Sequence, residues 1–306
     1  MKGYLVSVGF GVVTALAAAT GAWAQATCPP QAWSLPALQQ LKAAQWKLAD
    51  APSRDALALA LLPCLADANP ALRDGIAFEG LSAWLRAKQL SVGTMQQLHR
   101  ALLAQLADAT TDSAGFARPF AALVLSELAR ADRLQPFLTD PERQALVDAA
   151  STYLRGVRDY RGFIPGEGWR HGVAHGADLA MQLALNPALN AAQLDELVLA
   201  VQTQIAPAGE HFYIYGEGER LARPIYYAAR RGLITPQCWE ALVQAVASPA
   251  PLPSWDRAFE SQVGLARLHN VKAFLLVLSH NVAGSADPAV QAALGKLLPP
   301  ALKQLP

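Results

Sequence analysis

Cysteine is scarce in this chain, and so are the motifs that mark familiar enzymes. Only three cysteines occur among 306 residues, and none forms the short paired spacing of a zinc-binding module. The chain has no Gly-x-Ser-x-Gly nucleophile elbow and no phosphate-binding Gly-Lys-Ser/Thr loop. These absences exclude cysteine zinc modules, serine hydrolases of the α/β type and P-loop nucleotide hydrolases.

An excess of charge of one sign is also lacking. The chain has 25 basic and 24 acidic residues. A balanced charge gives no attraction to a polyanion, which excludes nucleic acid and anionic membrane surfaces as expected partners. We therefore expect a small ligand or another protein as the partner.

Signals of β-structure are missing as well, because no turn dipeptide separates two alternating apolar runs. Instead, helix-starting residues recur, each followed by an Ala/Leu-rich stretch with helical spacing. The predicted starts include Ser34, Ser53, Asn69, Ser91, Asn190, Thr235 and Asp287. The pattern predicts an all-α fold of about twelve helices, with the aromatic run at 212–215 in a loop.

The predicted helices pair into antiparallel hairpins that begin near residues 34, 70, 114, 168, 217 and 255. Such spacing is typical of HEAT-like helix pairs stacked into an α-solenoid or a curled superhelix. The alternative is a closed toroid of helix pairs. No Pro/Gly/Ser-rich linker interrupts the pattern, so we expect a single domain over residues 25–306.

Residues 1–24 have the composition of a secretory signal peptide. Lys2 precedes an uncharged apolar run that ends in the small-x-small sequence Ala22-Trp23-Ala24. Cleavage after Ala24 would leave no membrane segment and would place the protein in the periplasm or outside the cell. The alternative is an uncleaved membrane anchor, because the run is almost long enough to span a bilayer.

The three cysteines are Cys28, Cys64 and Cys238. Export implies an oxidising compartment, where cysteine pairs tend to close. Cys28 precedes the first predicted helix and Cys64 lies near the end of the second, and these ends meet in an antiparallel hairpin. We predict a disulfide between them. We expect Cys238, beside Trp239, to be unpaired and buried as a small hydrophobe.

The stretch of residues 159–178 groups two histidines with acidic, basic and aromatic side chains. Its glycines and proline predict a loop over residues 161–168, followed by a helix from Trp169. On that helix His171, His175 and Asp178 would share one stripe at the edge of the apolar face. The candidate binding residues of this stretch are Arg161, Glu167, Trp169, His171, His175 and Asp178.

Three hypotheses describe the histidine stripe. His171, His175 and Asp178 could bind a divalent metal such as zinc, although Gly172 removes the general base of a His-Glu-x-x-His protease. A metal-free site could instead use either imidazole as an acid, a base or a hydrogen-bond partner. In the structural alternative, Asp178 and a loop carbonyl hold the histidines, while Gly172 and Gly176 admit a neighbouring helix.

A second polar cluster occupies residues 216–232. Glu219 and Arg223 lie four residues apart and could simply pair on the surface of a helix. In the functional alternative, Glu219 or Arg220 reaches the histidine stripe from the next hairpin. Glu219 and Arg220 therefore join the candidate binding residues.

Three stretches carry a resemblance to a known family. They are FARPFAALVLSELARAD, DYRGFIPGEGWRHGVAHGADL and GERLARPIYYAARRG, within residues 116–233. With these stretches the chain resembles the bacterial domain-of-unknown-function family 2785, and its Gly-Trp-x-His-x-x-x-His-Gly-x-Asp motif is the most specific of them. The resemblance implies an all-helical fold and supplies no activity. Arg170 stands where the resemblance implies a small residue.

Together these features predict an exported all-helical protein that acts as a binding or interaction module. Its polar pocket would lie at His171, His175 and Asp178, because solenoids commonly bind through concave surfaces and no nucleophile is evident. The alternative hypothesis is a hydrolase, metal-dependent or using His/Asp acid–base chemistry, that acts on an envelope glycan or peptide.

Overall fold

A computed structural model of the protein describes residues 27–306 except 109, 111 and 113. The predicted signal peptide, residues 1–24, lies outside the described residues. The described part is mostly helical, which confirms the all-α prediction. None of its helices is long and apolar enough to cross a bilayer.

The helices follow one another with short connections. They are α1 (Leu35–Ala43), α2 (Ala51–Ala60), α3 (Pro70–Leu72), α4 (Glu79–Arg86), α5 (Val92–Ala107), α6 (Ala117–Leu134), α7 (Asp140–Gly156), α8 (Gly172–Ala184), α9 (Ala191–Gln202), α10 (Glu217–Arg230), α11 (Pro236–Ala247), α12 (Gln262–Ala283), α13 (Pro288–Val290) and α14 (Leu298–Lys303). Two 3₁₀ segments cover Leu62–Ala66 and Trp255–Glu260, and two π-helical segments cover Arg73–Phe78 and Gln291–Gly295.

Side-chain caps define most of the predicted helix starts. The residues whose side chains accept a backbone N–H at a helix start include Ser34, Asn69, Ser91, Asn190, Thr235 and Asp287. The second helix begins earlier than predicted, because Asp50 is its cap and accepts the N–H of Ser53 at 2.8 Å. Caps of this kind satisfy backbone donors that the first helical turn leaves without partners.

Two rows of helices run through the described part of the chain. Helices α6, α8, α10 and α12 contact one another in that order, and α5, α7 and α9 do the same. The rows meet closely where α8 packs on α7: a Cβ added to Gly176 would lie 2.8 Å from Leu154 Cδ2 and 3.0 Å from Tyr153 Cε1. A Cβ on Gly172 would likewise lie 3.0 Å from the Tyr153 hydroxyl. Both glycines therefore admit a neighbouring helix, as the structural alternative required.

The cysteines confirm one prediction and correct another. Cys28 and Cys64 form a disulfide with their Cα atoms 5.1 Å apart. Cys238 is free, as expected, but it is exposed rather than buried. Its place in the first turn of α11 turns it to solvent, while the next residue, Trp239, enters the core.

The loop predicted over residues 161–168 contains a short antiparallel hairpin. Its strands are β1 (Phe163–Ile164) and β2 (Gly168–Trp169). The expectation that the chain lacks strands is therefore wrong at this place, because the glycines close a tight turn instead of leaving the segment irregular. Residues 212–215 lie outside any helix or strand, as predicted.

Candidate functional site

Helix α8 begins one residue after His171, not at Trp169 as predicted. His171 has a left-handed backbone with φ 56°, a conformation that costs a residue with a side chain about 1–2 kcal/mol. Its N–H donates to the carbonyl of Arg161 at 3.1 Å, and its carbonyl accepts the N–H of His175. The prediction of a common helical stripe is therefore wrong for His171, which is positioned by the end of the hairpin.

Most of the predicted site residues nevertheless line a single cavity of about 550 Å³. Its walls come from α4, α6, α8 and α10, from the hairpin and from the segments before α4 and α10. The predicted residues that line it are Trp169, His171, His175, Asp178 and Arg220. Arg220, from the next predicted hairpin, thus lines the same cavity as the histidines.

His175 has a defined tautomer at the wall of this cavity. Its Nδ1 lies 3.2 Å from the carbonyl oxygen of Pro119. Because a carbonyl can only accept, Nδ1 carries the proton and donates it, and Nε2 is left as an acceptor. The ring packs edge-on against Phe120, with the two ring centres 5.4 Å apart. His175 is buried.

His171 is enclosed by aromatic and acidic neighbours. Its ring stacks on Trp169 with the ring centres 4.8 Å apart. Its Nε2 is buried, lacks a hydrogen-bond partner and lies 3.8 Å from Oε1 of Glu217. The other oxygen of that buried carboxyl accepts the N–H of Tyr215 at 2.9 Å. The His171 ring is therefore held by its surroundings while one nitrogen has spare hydrogen-bonding capacity.

Burial controls the protonation of these groups. It lowers the pKa of His171 to about 4, with a further contribution from the charge of Arg220. It lowers the pKa of His175 to about 3, and the neighbouring His171 adds to the effect. Burial also raises the pKa of Asp178, against the opposing charge of Arg220. Both imidazoles are consequently neutral at physiological pH.

Each charged group that lines the cavity has a partner of opposite sign. Arg220 pairs with Asp178, and Arg86 pairs with Glu127 through two hydrogen bonds. Asp74 pairs with the buried Arg73, with Nη2 and Oδ2 2.8 Å apart. The remaining polar lining includes Ser126 and Gln182. The cavity therefore offers many donors and acceptors but no unbalanced charge.

Three predicted binding residues lie outside this cavity: Arg161, Glu167 and Glu219. Arg161 pairs with Asp159 on the surface. Glu219 pairs with Arg223 one helical turn away, which is the surface pairing that the spacing allowed. Glu219 lines a separate cavity between α10 and α12.

Arg170, where the resemblance implied a small residue, has a structural role. Its side chain is buried and lies over the ring of Phe116, with Cζ 4.2 Å from the ring centre. It donates to the carbonyl of Ala114 and to the carboxylate of Glu167. Arg73 reaches the same place from the other side, donating to the Glu167 carbonyl at 2.7 Å. These contacts hold the hairpin against the segment before α6 and against Arg73.

Several residues of the cavity were missed from the sequence: Asp74, Arg86, Ser126, Glu127, Gln182 and Tyr215. The sequence did mark Glu127 as unusual, because it is the single acidic residue of the apolar stretch FARPFAALVLSEL. Asp74 and Arg86 had none, because they lie about a hundred residues before the histidines and resemble ordinary surface charges of amphipathic helices.

The donor set does not suit the predicted metal. Asp178 directs its carboxylate to Arg220, and Nδ1 of His175 is occupied by a carbonyl. Among the described residues, no group of three or more His, Cys, Asp or Glu side chains could hold a metal ion. A zinc ion at His171, His175 and Asp178 therefore lacks a ligand set in this arrangement.

The comparison with known families confirms the resemblance of the chain to one family. The chain matches the family described as "Protein of unknown function (DUF2785)" over residues 102–279, more than half of its length. The chain belongs to this family. The DUF2785 match contains the hairpin, α8 and α10, but Asp74 and Arg86 lie before it. A search of curated proteins and a search of solved structures found no match.

Proposed function

We propose that the cavity between α6, α8 and α10 binds a small, neutral, hydroxyl-rich ligand such as a sugar unit. The observation that carries the proposal is that each charged side chain lining the cavity is paired with a side chain of opposite charge. Asp178 with Arg220 and Glu127 with Arg86 form charge-assisted pairs that keep further donors and acceptors free for a ligand. A ligand with a full charge would need to break one of these pairs.

The rest of the lining suits the same chemistry. Nε2 of His175 is an acceptor for a hydroxyl group, because Nδ1 is bound to Pro119. Trp169, Phe78 and Tyr215 supply apolar ring surface on which the C–H face of a sugar can pack. Concave sites with a few convergent polar groups among aromatic rings are typical ligand sites.

The proposed setting is a HEAT-like stack of helix hairpins in an exported protein. The successive contacts of α6, α8, α10 and α12 support the stacked arrangement, with the cavity on that row. The signal-peptide composition of residues 1–24 supports a periplasmic or secreted location. The ligand would then be a component of the cell envelope or its surroundings.

A second candidate function is hydrolysis of the bound ligand. Burial raises the pKa of Asp178 and of Asp74, and both carboxyl groups line the cavity. A carboxyl group that keeps its proton closer to neutral pH is suited to act as a general acid. This candidate shares the ligand and the residues of the binding proposal and adds product formation.

Isothermal titration calorimetry with neutral monosaccharides, glucose and N-acetylglucosamine, tests the proposal. We expect wild-type protein to bind at least one of them and Asp178→Asn to weaken that binding at least tenfold. Arg230→Gln is the matched control, because Arg230 lies on the same helix in an exposed pair with Asp287. Absence of heat with both sugars, or equal affinities of Asp178→Asn and wild type, would contradict the proposal.

The second candidate function, hydrolysis, is tested by mass spectrometry of the β-linked disaccharides of these sugars after incubation with the protein.

A further inference from the structure

A second cavity adjoins the first across the ring of Tyr215. This cavity, of about 910 Å³, is lined by residues 158–164 and by residues of the segment 211–215. Tyr215 lines both cavities. Its hydroxyl donates to the carbonyl of Phe163 at 3.2 Å, and its ring covers Gly162, where an added Cβ would lie 2.0 Å from Cδ2. The wall between the two cavities is therefore the ring of Tyr215. The ring is held in place by its hydrogen bond, and its position requires glycine at residue 162.

Three aromatic rings form a ridge along this wall, which we call the aromatic ridge: Phe163, Trp169 and Tyr215. The ring centres of Phe163 and Trp169 lie 5.3 Å apart, and those of Trp169 and Tyr215 lie 5.5 Å apart. Phe163 is 43% exposed, Trp169 is 37% exposed and the adjacent Ile214 is 69% exposed. Large apolar side chains clustered on a surface mark a place that a ligand or partner covers.

We infer that the ligand is a linear oligosaccharide of at least two units, which crosses the aromatic ridge from the first cavity into the second. The inference rests on the proposed function for its first unit. The next unit would pack its C–H face on Phe163 and Ile214 and place its hydroxyl groups among the polar side chains of the second cavity. Those side chains include the Asp159–Arg161 pair and the stacked rings of Tyr160 and His211.

The charged side chains of the second cavity are also engaged by neighbouring groups, Arg161 by a carboxylate and Arg158 by backbone carbonyls. Arg161 is engaged by Asp159, and the guanidinium group of Arg158 donates to the carbonyls of Arg155 and Val157. Tyr160 and His211 stack with their ring centres 5.2 Å apart. Aromatic rings beside polar groups that already have partners suit a chain of sugar rings. A peptide would instead need a sheet edge or a row of unpaired donors to bind its backbone amides.

The length dependence of binding tests the inference. Calorimetry would compare N-acetylglucosamine with its β-linked dimer and tetramer, and glucose with its corresponding dimer and tetramer. Tetra-alanine would serve as the peptide for comparison. We expect the dimer or tetramer of one series to bind at least tenfold more tightly than its monomer. Phe163→Ala and Ile214→Ala should each remove most of that gain and leave the affinity for the monomer unchanged. Leu199→Ala, at another exposed apolar residue on α9, should keep the gain.

Different outcomes separate the inference from the proposed function. A monomer that binds as tightly as its tetramer overturns the inference and leaves the proposed function standing. Retention of the full gain in both Phe163→Ala and Ile214→Ala also overturns it, as does tighter binding of tetra-alanine than of any saccharide. Failure of every saccharide to bind overturns both. Circular dichroism and thermal melts of each variant confirm that the compared proteins are folded.

Discussion

The two histidines of the motif are neutral side chains in a buried setting, and their environments differ. His175 donates Nδ1–H to a carbonyl of α6, while His171 is stacked on Trp169 and has a buried Nε2 without a partner. The sequence predicted that both belong to one site. It did not predict the tautomer of His175 or the protonation of either ring, because these depend on burial and on Pro119 and Arg220, which are distant along the chain.

The neutrality of His171 makes the stability of the protein depend on pH. The unfolded residue binds a proton below about pH 6.5, whereas the folded residue has a pKa of about 4. Between these values the unfolded state holds more protons, so the free energy of unfolding falls as the pH is lowered. The slope from this residue is at most about 1.4 kcal/mol per pH unit.

Urea unfolding of wild type and His171→Gln between pH 6.5 and 4 measures this contribution. We expect the variant to lose stability less steeply on acidification than wild type does. The raised pKa values of Asp178 and Glu217 act in the opposite direction, and comparing the two proteins removes that shared effect. His280→Gln, at an exposed position of α12, is the control and should follow wild type. Parallel curves for wild type and His171→Gln would contradict the burial of this imidazole.

At the scale of elements, the helices were largely predictable and the hairpin was not. Ser34, Asn190 and Thr235 cap helices where the sequence placed them, because capping is a local interaction. The strands β1 and β2 have only two residues each. They are held by Arg73, which bonds to Glu167 across 94 residues, and by Arg170, which bonds to Ala114 across 56 residues. No local pattern therefore reveals them.

The close packing of α8 on α7 predicts a marked effect of a single methyl group. Gly176→Ala would place Cβ 2.8 Å from Leu154 Cδ2, and we expect overpacking to lower the free energy of unfolding by about 1–3 kcal/mol. Gly93→Ala is the matched control on α5, where no atom lies within 4 Å of the added Cβ. It should raise the stability by about 0.5–1 kcal/mol, because alanine favours the helix. Equal stabilities of the two variants in chemical unfolding would refute the close contact.

For the whole molecule, the cavity depends on parts of the chain that are far apart. Asp74 and Arg86 come from the region before the family match, and His175 and Arg220 come from within it. The motif therefore indicated part of the cavity, while Asp74 and Arg86 could be found only after folding. The disulfide, in contrast, was predicted correctly, because a hairpin of the first two predicted helices would bring Cys28 and Cys64 together.

The disulfide Cys28–Cys64 should contribute substantially to global stability. It closes a loop with a sequence separation of 36, and restricting the unfolded chain in this way is worth about 3–4 kcal/mol. We expect the Cys28→Ala/Cys64→Ala double variant to lose about this much in urea unfolding, and wild type to lose a similar amount under reducing conditions. Cys238→Ala should leave the stability nearly unchanged, because that cysteine is free and exposed. A double variant as stable as wild type would contradict the prediction.

The central question is whether the polar side chains of the cavity bind a ligand or stabilise the fold. The most direct test replaces both members of the Asp178–Arg220 pair with apolar side chains. Buried ion pairs are costly to desolvate, so Asp178→Leu/Arg220→Met should keep or raise the free energy of unfolding, by up to about 1–4 kcal/mol. The same variant should show no calorimetric binding of the saccharides that wild type binds. A loss of about 3 kcal/mol or more, together with absence of binding in wild type, would contradict the account and assign the pair to the fold.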